Sequence, residues 1–138
     1  MNYQMSKDNL EEIFDKIDGR LGDNRINLII GGPPCQAYSL AGRSRDANNM
    51  IGDERNYLYK IYAEFLRRYK PKYFLFENVL GLLSAKEPDG TRHFDAMCRT
   101  FKECGYSVET KIFLASDYGV LQSRRRLILI GKLGDDHG

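Results

Sequence analysis

No apolar run in the 138 residues approaches the roughly 18 that a membrane-spanning helix needs. The opening stretch MNYQMSKDNLEEIF carries acids where a signal peptide would have its apolar segment. The chain therefore reads as soluble, with a cytoplasmic or other intracellular location expected and no membrane partner. Cysteine is scarce: Cys35, Cys98 and Cys104 are an odd number at irregular spacing, which fits neither a disulfide framework nor a zinc-ligand pattern. Reduced thiols and no metal site are expected. Internal repeats and low-complexity segments are lacking too. What is present is an ordinary globular mix, 42% hydrophobic and 29% charged, at a length close to one common domain, so residues 1–138 are taken as a single unit.

The net charge of +2 hides an uneven distribution. Residues 1–30 hold four bases against six acids, residues 43–72 eight against four, and residues 73–138 nine against nine. A second local cluster stands at Arg124, Arg125 and Arg126. Such basicity fits either a phosphate-bearing partner or a solvated face.

Leu10, Ile13, Phe14, Ile17 and Leu21 recur at helical steps after Ser6, a candidate cap, and Gly19 and Gly22 should end that helix. Asn27 to Ile30 is a continuous apolar run stopped by Gly31-Gly32-Pro33-Pro34, as in a parallel strand buried on both faces. Residues 35–55 read as a long polar loop, a length that in a compact domain signals function or disorder. Helical spacing returns from Asn56 to Tyr69. Tyr73 to Phe76 is a second buried strand, Phe94 to Cys104 a helix closed by Gly105, Tyr106 to Leu114 an alternating strand, and Leu127 to Ile130 a last strand ending at Gly131. This order predicts an α/β fold whose sheet is mostly parallel with an antiparallel edge.

Ligands of open α/β sheets bind beyond the carboxyl ends of the parallel strands. Here one such end delivers Gly31 to Gln36, and the other delivers Glu77-Asn78. A thiol and a carboxylate thus meet at one crevice. A lone cysteine is commonly a small buried hydrophobe, but two prolines stiffen the approach to Cys35 and polar residues follow it, as for a presented nucleophile. Glu77, after four apolar residues, must be exposed, paired or shifted in pKa. It reads as a proton donor or as a capping or salt-bridged acid. Arg124 and Arg126 enter a strand on one face, where two guanidinium forks can grip a phosphate or a base carbonyl, although three arginines at a strand entrance are also a common solvated turn.

These residues resemble the DNA (cytosine-5)-methyltransferases. Pro33-Pro34-Cys35-Gln36 is similar to that family's nucleophile motif, Glu77-Asn78-Val79 to its Glu-Asn-Val motif, Gln122-x-Arg124-x-Arg126 to its Gln-x-Arg-x-Arg motif, and Arg55-Asn56-x-Leu58 to the segment between the first two. All stand in family order over roughly residues 26–132. The resemblance implies a partial Rossmann-like fold that uses S-adenosylmethionine and acts on double-stranded DNA, as in restriction-modification. It implies that Cys35 attacks carbon 6 of a flipped cytosine, that Glu77 hydrogen-bonds or protonates ring nitrogen 3, and that Arg126 with Arg124 holds the ring carbonyl and the active-site network. Pro34 would read the exocyclic amine and contact the cofactor, and Leu58 would pack against the cofactor. Asn78 would order the loop carrying Cys35, while Gln36, Ser39 and Gln122 would serve the DNA side.

Three departures from the family pattern matter. Residues 1–25 carry neither the Gly-rich cofactor turn nor the ribose-binding acid that the family places before its nucleophile strand. Residues 127–138 are too few to hold the family's target-recognition region, and Leu121 stands where the family often has proline. The cofactor site is therefore expected to be incomplete in these residues, with a complementary methyltransferase chain or self-association supplying the missing cover. The alternatives are a non-catalytic remnant with weak DNA-binding or interaction capacity, and a related RNA cytosine methyltransferase.

Overall fold

The computed structural model of the chain describes residues 7–32, 58–86 and 89–134. Helix α1 (Leu10–Leu21) buries Leu10, Ile13 and Phe14 of the expected stripe, with Glu11 and Glu12 in its first turn and Arg20 in its last, each favourable to the helix dipole. It runs through Gly19 and ends at Gly22, whose φ of +56° suits glycine. One turn of 3₁₀ helix, Lys7–Asn9, precedes it; Ser6, the expected cap, lies outside the described residues.

Strand β1 (Leu28–Gly31) is followed, after the segment 33–57, by helix α2 (Leu58–Tyr69) and strand β2 (Tyr73–Asn78). Helix α3 (His93–Glu103), strand β3 (Tyr106–Leu114) and strand β4 (Arg125–Leu133) complete the order. The sheet order is β1-β2-β4-β3. β1 and β2 form the parallel, Rossmann-like core, with Ile30 opposite Leu75, whereas β4 pairs antiparallel with both β2 and β3. The class is α/β as expected, but two of the three described pairings are antiparallel, more than an edge. The reason is that β4 returns between β2 and β3 through a short connection, and a short return to a neighbouring strand must run antiparallel.

One face of the sheet holds the core. Phe74 and Phe76 of β2, Leu127 and Leu129 of β4, Tyr59, Ala63 and Leu66 of α2, and Met97 and Phe101 of α3 pack together. Full burial of a Phe or Leu contributes about 1.5–3 kcal/mol, so this layer dominates the stability. α1 docks on α2 through the Phe14 ring, 4.9 Å from Phe65, and through Asp18, which accepts from Arg68 at 2.5 Å and Tyr69 at 2.8 Å. Those two bonds hold the Asp18 carboxyl below its usual value.

The opposite face is open among the described residues. Leu28 is 51% exposed and Ile30 67%, and Tyr73 and Ile130 share that face. The sequence reading of β1 as buried on both faces is therefore corrected: β1 ends the sheet order, and no described element lies over Leu28 and Ile30. Two further corrections concern strand ends. β2 continues through Glu77 and Asn78, and β4 runs from Arg125 through Gly131 to Leu133. Gly131 does not stop the strand; it pairs with Phe74, whose ring fills the space a side chain would need.

Because that ring is fully buried and cannot swing aside, Gly131→Ala should cost about 1–3 kcal/mol. Urea unfolding of the two proteins measures the difference, and an unchanged midpoint would show that the ring is free to move.

Candidate active site

Alternation along β2 decides where its last two side chains go. Phe74, Phe76 and Asn78 face the helices, so Glu77 faces the open side with Tyr73 and Leu75. Glu77 stands opposite Ile128, and Arg126, two residues earlier on β4, is its diagonal neighbour. Arg126 Nε lies 2.5 Å from Glu77 Oε1, with the arginine side chain 20% and the glutamate side chain 41% exposed. The carboxylate is thus paired and still reachable. A carboxylate gripped on one oxygen keeps the other for a ligand's hydrogen-bonding edge.

The end of β1 is fitted to this carboxylate. A Cβ on Gly32 would lie 2.7 Å from Glu77 Oε2 and 3.2 Å from the Glu77 carbonyl oxygen. Only a residue without a side chain lets the strand leave the sheet this close to Glu77. Gly31 is constrained from the other face, since a Cβ there would lie 2.6 Å from Cε2 of Tyr62. The Gly31-Gly32 pair, legible in the sequence only as a strand stop, thus admits a ring on one side and a carboxylate on the other.

Tyr62 is the residue that sequence reasoning missed. From α2 its hydroxyl lies 3.1 Å from the carbonyl oxygens of both Ile29 in β1 and Leu75 in β2. Burial pushes its pKa well above the ordinary tyrosine value, so the hydroxyl remains a donor. A tyrosine on the core stripe of an amphipathic helix was the available signal, because a buried phenol needs a partner.

Asn78 is 2% exposed on the helix side, apart from Glu77. Its Oδ1 accepts from the Val79 N–H at 2.8 Å, while its Nδ2 has no partner among the described residues. Leu58, the first residue of α2, is half-buried. Arg124 and Gln122 lie in the exposed turn ahead of β4, where the Arg124 carbonyl accepts from Ala115 N–H and the Gln122 N–H donates to the Val120 carbonyl. Of the two arginines expected to act together, Arg126 reaches Glu77 and Arg124 does not. Pro34, Cys35, Gln36 and Ser39 lie outside the described residues.

The other two thiols have the character of core residues. Cys104 is buried and Cys98 half-buried, and burial raises the pKa of both, which disfavours the thiolate. A cavity of about 260 Å³ lined by Leu10, Lys60, Glu64, Arg67 and Glu103 among others sits in the helix layer and shares no residue with the strand ends. No helix among the described residues is long and apolar enough to cross a membrane.

The chain is similar to known methyltransferases. The type II methyltransferase M.Bpa9945I of Bacillus paralicheniformis is 42% identical over 114 residues, which span 77% of this chain and 25% of that protein. M.DdeI of Desulfomicrobium norvegicum is 37% identical over 139 residues, 96% of this chain and 32% of that protein. The chain thus spans between a quarter and a third of these relatives. Among solved structures, a chain encoded within an E. coli prophage and described as a DNA modification methyltransferase superposes with a TM-score of 0.63 at 29% identity, over 86% of this chain and 30% of that one. The methyltransferase EhMeth of Entamoeba histolytica shares the fold, with a TM-score of 0.60 at 22% identity over 98% of this chain and 37% of that one. The family description "C-5 cytosine-specific DNA methylase" matches residues 1–137, and on that match, nearly the length of the chain, the protein belongs to this family.

Proposed function

We propose that residues 1–138 carry the chemical centre of a methyltransferase that modifies carbon 5 of cytosine in double-stranded DNA, as in restriction-modification. The observation that carries this reading is the Glu77 carboxylate, held by Arg126 and set directly beside Gly32, three residues before Cys35. A nucleophile and an acid delivered from adjacent parallel strands suit attack on a flat, polar ring.

In this reading the Cys35 thiolate adds to carbon 6 of a cytosine turned out of the duplex, and the displaced electron pair makes carbon 5 nucleophilic. Glu77 bonds or protonates ring nitrogen 3, so negative charge does not build on the base. Arg126 orients Glu77 and, with Arg124, holds the ring carbonyl. When bound, S-adenosylmethionine supplies the electrophilic methyl group. Loss of the carbon-5 proton and release of the Cys35 thiolate then restore the aromatic ring. The backbone of Pro34 reads the exocyclic amine, and Gln36 and Ser39 fill the vacated duplex position and touch phosphate, with Gln122 on the same DNA side. The buried Asn78 Nδ2, without a partner among the described residues, supports a role for Asn78 in ordering the segment that holds Cys35.

Leu58 and Pro34 are the contacts this chain offers the cofactor. Half-buried Leu58 at the start of α2 fits an apolar contact. The remaining cofactor contacts are proposed to come from a methyltransferase segment outside residues 1–138, on the same polypeptide or another. The sheet face at Leu28, Ile30, Tyr73 and Ile130 supports this, because an apolar face and a strand edge that no described residue covers are a template for another chain.

Grafting residues 1–138 into the matched region of the Desulfomicrobium norvegicum relative provides an assay for the chemistry. Cys35→Ala should abolish methylation and the stable adduct with 5-fluorocytosine DNA, whereas Cys98→Ala and Cys104→Ala should retain both. Glu77→Gln should lower turnover by about 10²–10⁴-fold with DNA affinity nearly intact. Gly32→Ala should lower it through displacement of Glu77. Retention of the adduct by Cys35→Ala would remove the proposed nucleophile.

The 138-residue chain by itself should self-associate through the open face. Light scattering over a range of concentrations should show growing mass, and Leu28→Lys with Ile30→Lys should suppress it. A concentration-independent monomer would count against the uncovered face as a docking surface.

A further inference from the structure

The proposed chemistry needs Cys35 and Glu77 at a fixed separation, yet they belong to different strands. β1 carries the segment toward Cys35, and β2 carries Glu77. Strand pairing alone sets the spacing of the described residues, but Gly31 is the last residue of β1, so the ladder ends where the separation matters. A second link between the two strands close to these positions would hold that separation.

Tyr62 has the geometry for this. Its hydroxyl is 3.1 Å from the Ile29 carbonyl oxygen and 3.1 Å from the Leu75 carbonyl oxygen, each within the paired strands and two residues before Gly31 and Glu77. One proton shared between acceptors on neighbouring strands bridges them. The ring lies over Gly31 and is fixed edge-on against Phe76 at 5.0 Å and Phe74 at 5.9 Å. The same helix begins at Leu58, one turn earlier. Raised by burial, the pKa of the phenol keeps the proton available.

We propose that Tyr62 is a positioning residue: through its hydroxyl it clamps β1 to β2 at Ile29 and Leu75 and so fixes the spacing between Gly31-Gly32 and Glu77. The link to turnover rests on the cytosine-methylation reading, whereas the clamp itself does not. Gly31 belongs to the device, because any side chain there would displace the ring.

Two measurements separate these claims. On the full chain, amide hydrogen exchange of Tyr62→Phe should accelerate by about tenfold at Gly31, Gly32 and Glu77, the loss expected of one buried hydrogen bond, and change little in β3. Gly31→Ala should reproduce that pattern. Tyr106→Phe is the control: its hydroxyl donates to the Pro71 carbonyl at 2.8 Å, a comparable buried bond away from the strand ends, and it should leave those amides unchanged. In the grafted enzyme, Tyr62→Phe should lower kcat by about ten- to a hundredfold with KM for DNA within about twofold, while Tyr106→Phe keeps kcat. Unchanged exchange at Gly31, Gly32 and Glu77 in Tyr62→Phe overturns the clamp. Equal losses of kcat in the two variants overturn the positioning role in favour of general destabilisation. A local rise in exchange beside a wild-type graft that does not methylate supports the clamp and counts against the function.

Discussion

Strand β2 is bonded on both sides, to β1 in parallel and to β4 in antiparallel register, and its two-residue side-chain period sorts everything around it. Phe74, Phe76 and Asn78 go to the helix side. Tyr73, Leu75 and Glu77 go to the other. Because Phe74 and Phe76 anchor the layer formed by α2 and α3, a slip of one residue would expose both rings and bury the Glu77 carboxylate. Two buried aromatic rings, each contributing about 1.5–3 kcal/mol, thereby lock the face on which the carboxylate emerges. Core packing and the geometry of the candidate site are fixed by one register.

The same register explains why Arg126 rather than Arg124 meets Glu77. The diagonal across an antiparallel pair spans a distance that a guanidinium can close, and Arg126 is in strand β4 on that diagonal. Arg124 lies before the strand, where its backbone turns toward Ala115. A partly exposed ion pair of this kind contributes little stability. Its consequence is orientation: one carboxylate oxygen is taken, and the other is left at the crevice.

Apolar periodicity made α3 and β3 legible within a residue, and the ends of α1 and α2 at Gly22 and Tyr69, since burial on one side is what produces the period. Strand ends were less legible. Glu77, Asn78 and Arg126 are polar, and a polar residue looks like the end of a buried strand even where the backbone ladder continues past it. Gly131 misled in the same way, because a glycine that makes room for a ring is indistinguishable in sequence from one that makes a turn. The double-sided burial inferred for β1 followed from its lack of polar alternation, and Leu28 and Ile30 are open because nothing described lies over them. The pairing of Glu77 was foreseen as one outcome of placing a carboxylate after four apolar residues. The contact with Gly32 was not, since it depends on two strands meeting.

Gly31 and Gly32 are adjacent but serve opposite faces, one admitting the Tyr62 ring and the other the Glu77 carboxylate. Gly31 is the last residue of β1, and the backbone carries the alternation of the strand one residue further to Gly32. The helix layer and the proposed site therefore press on the same two residues from opposite sides. A side chain at position 31 would act on the site only through Tyr62, whereas one at position 32 would act on Glu77 directly. The end of β1 is thus where the packing of the core is transmitted to the geometry of the crevice, and a backbone without side chains is the only material thin enough to lie between them.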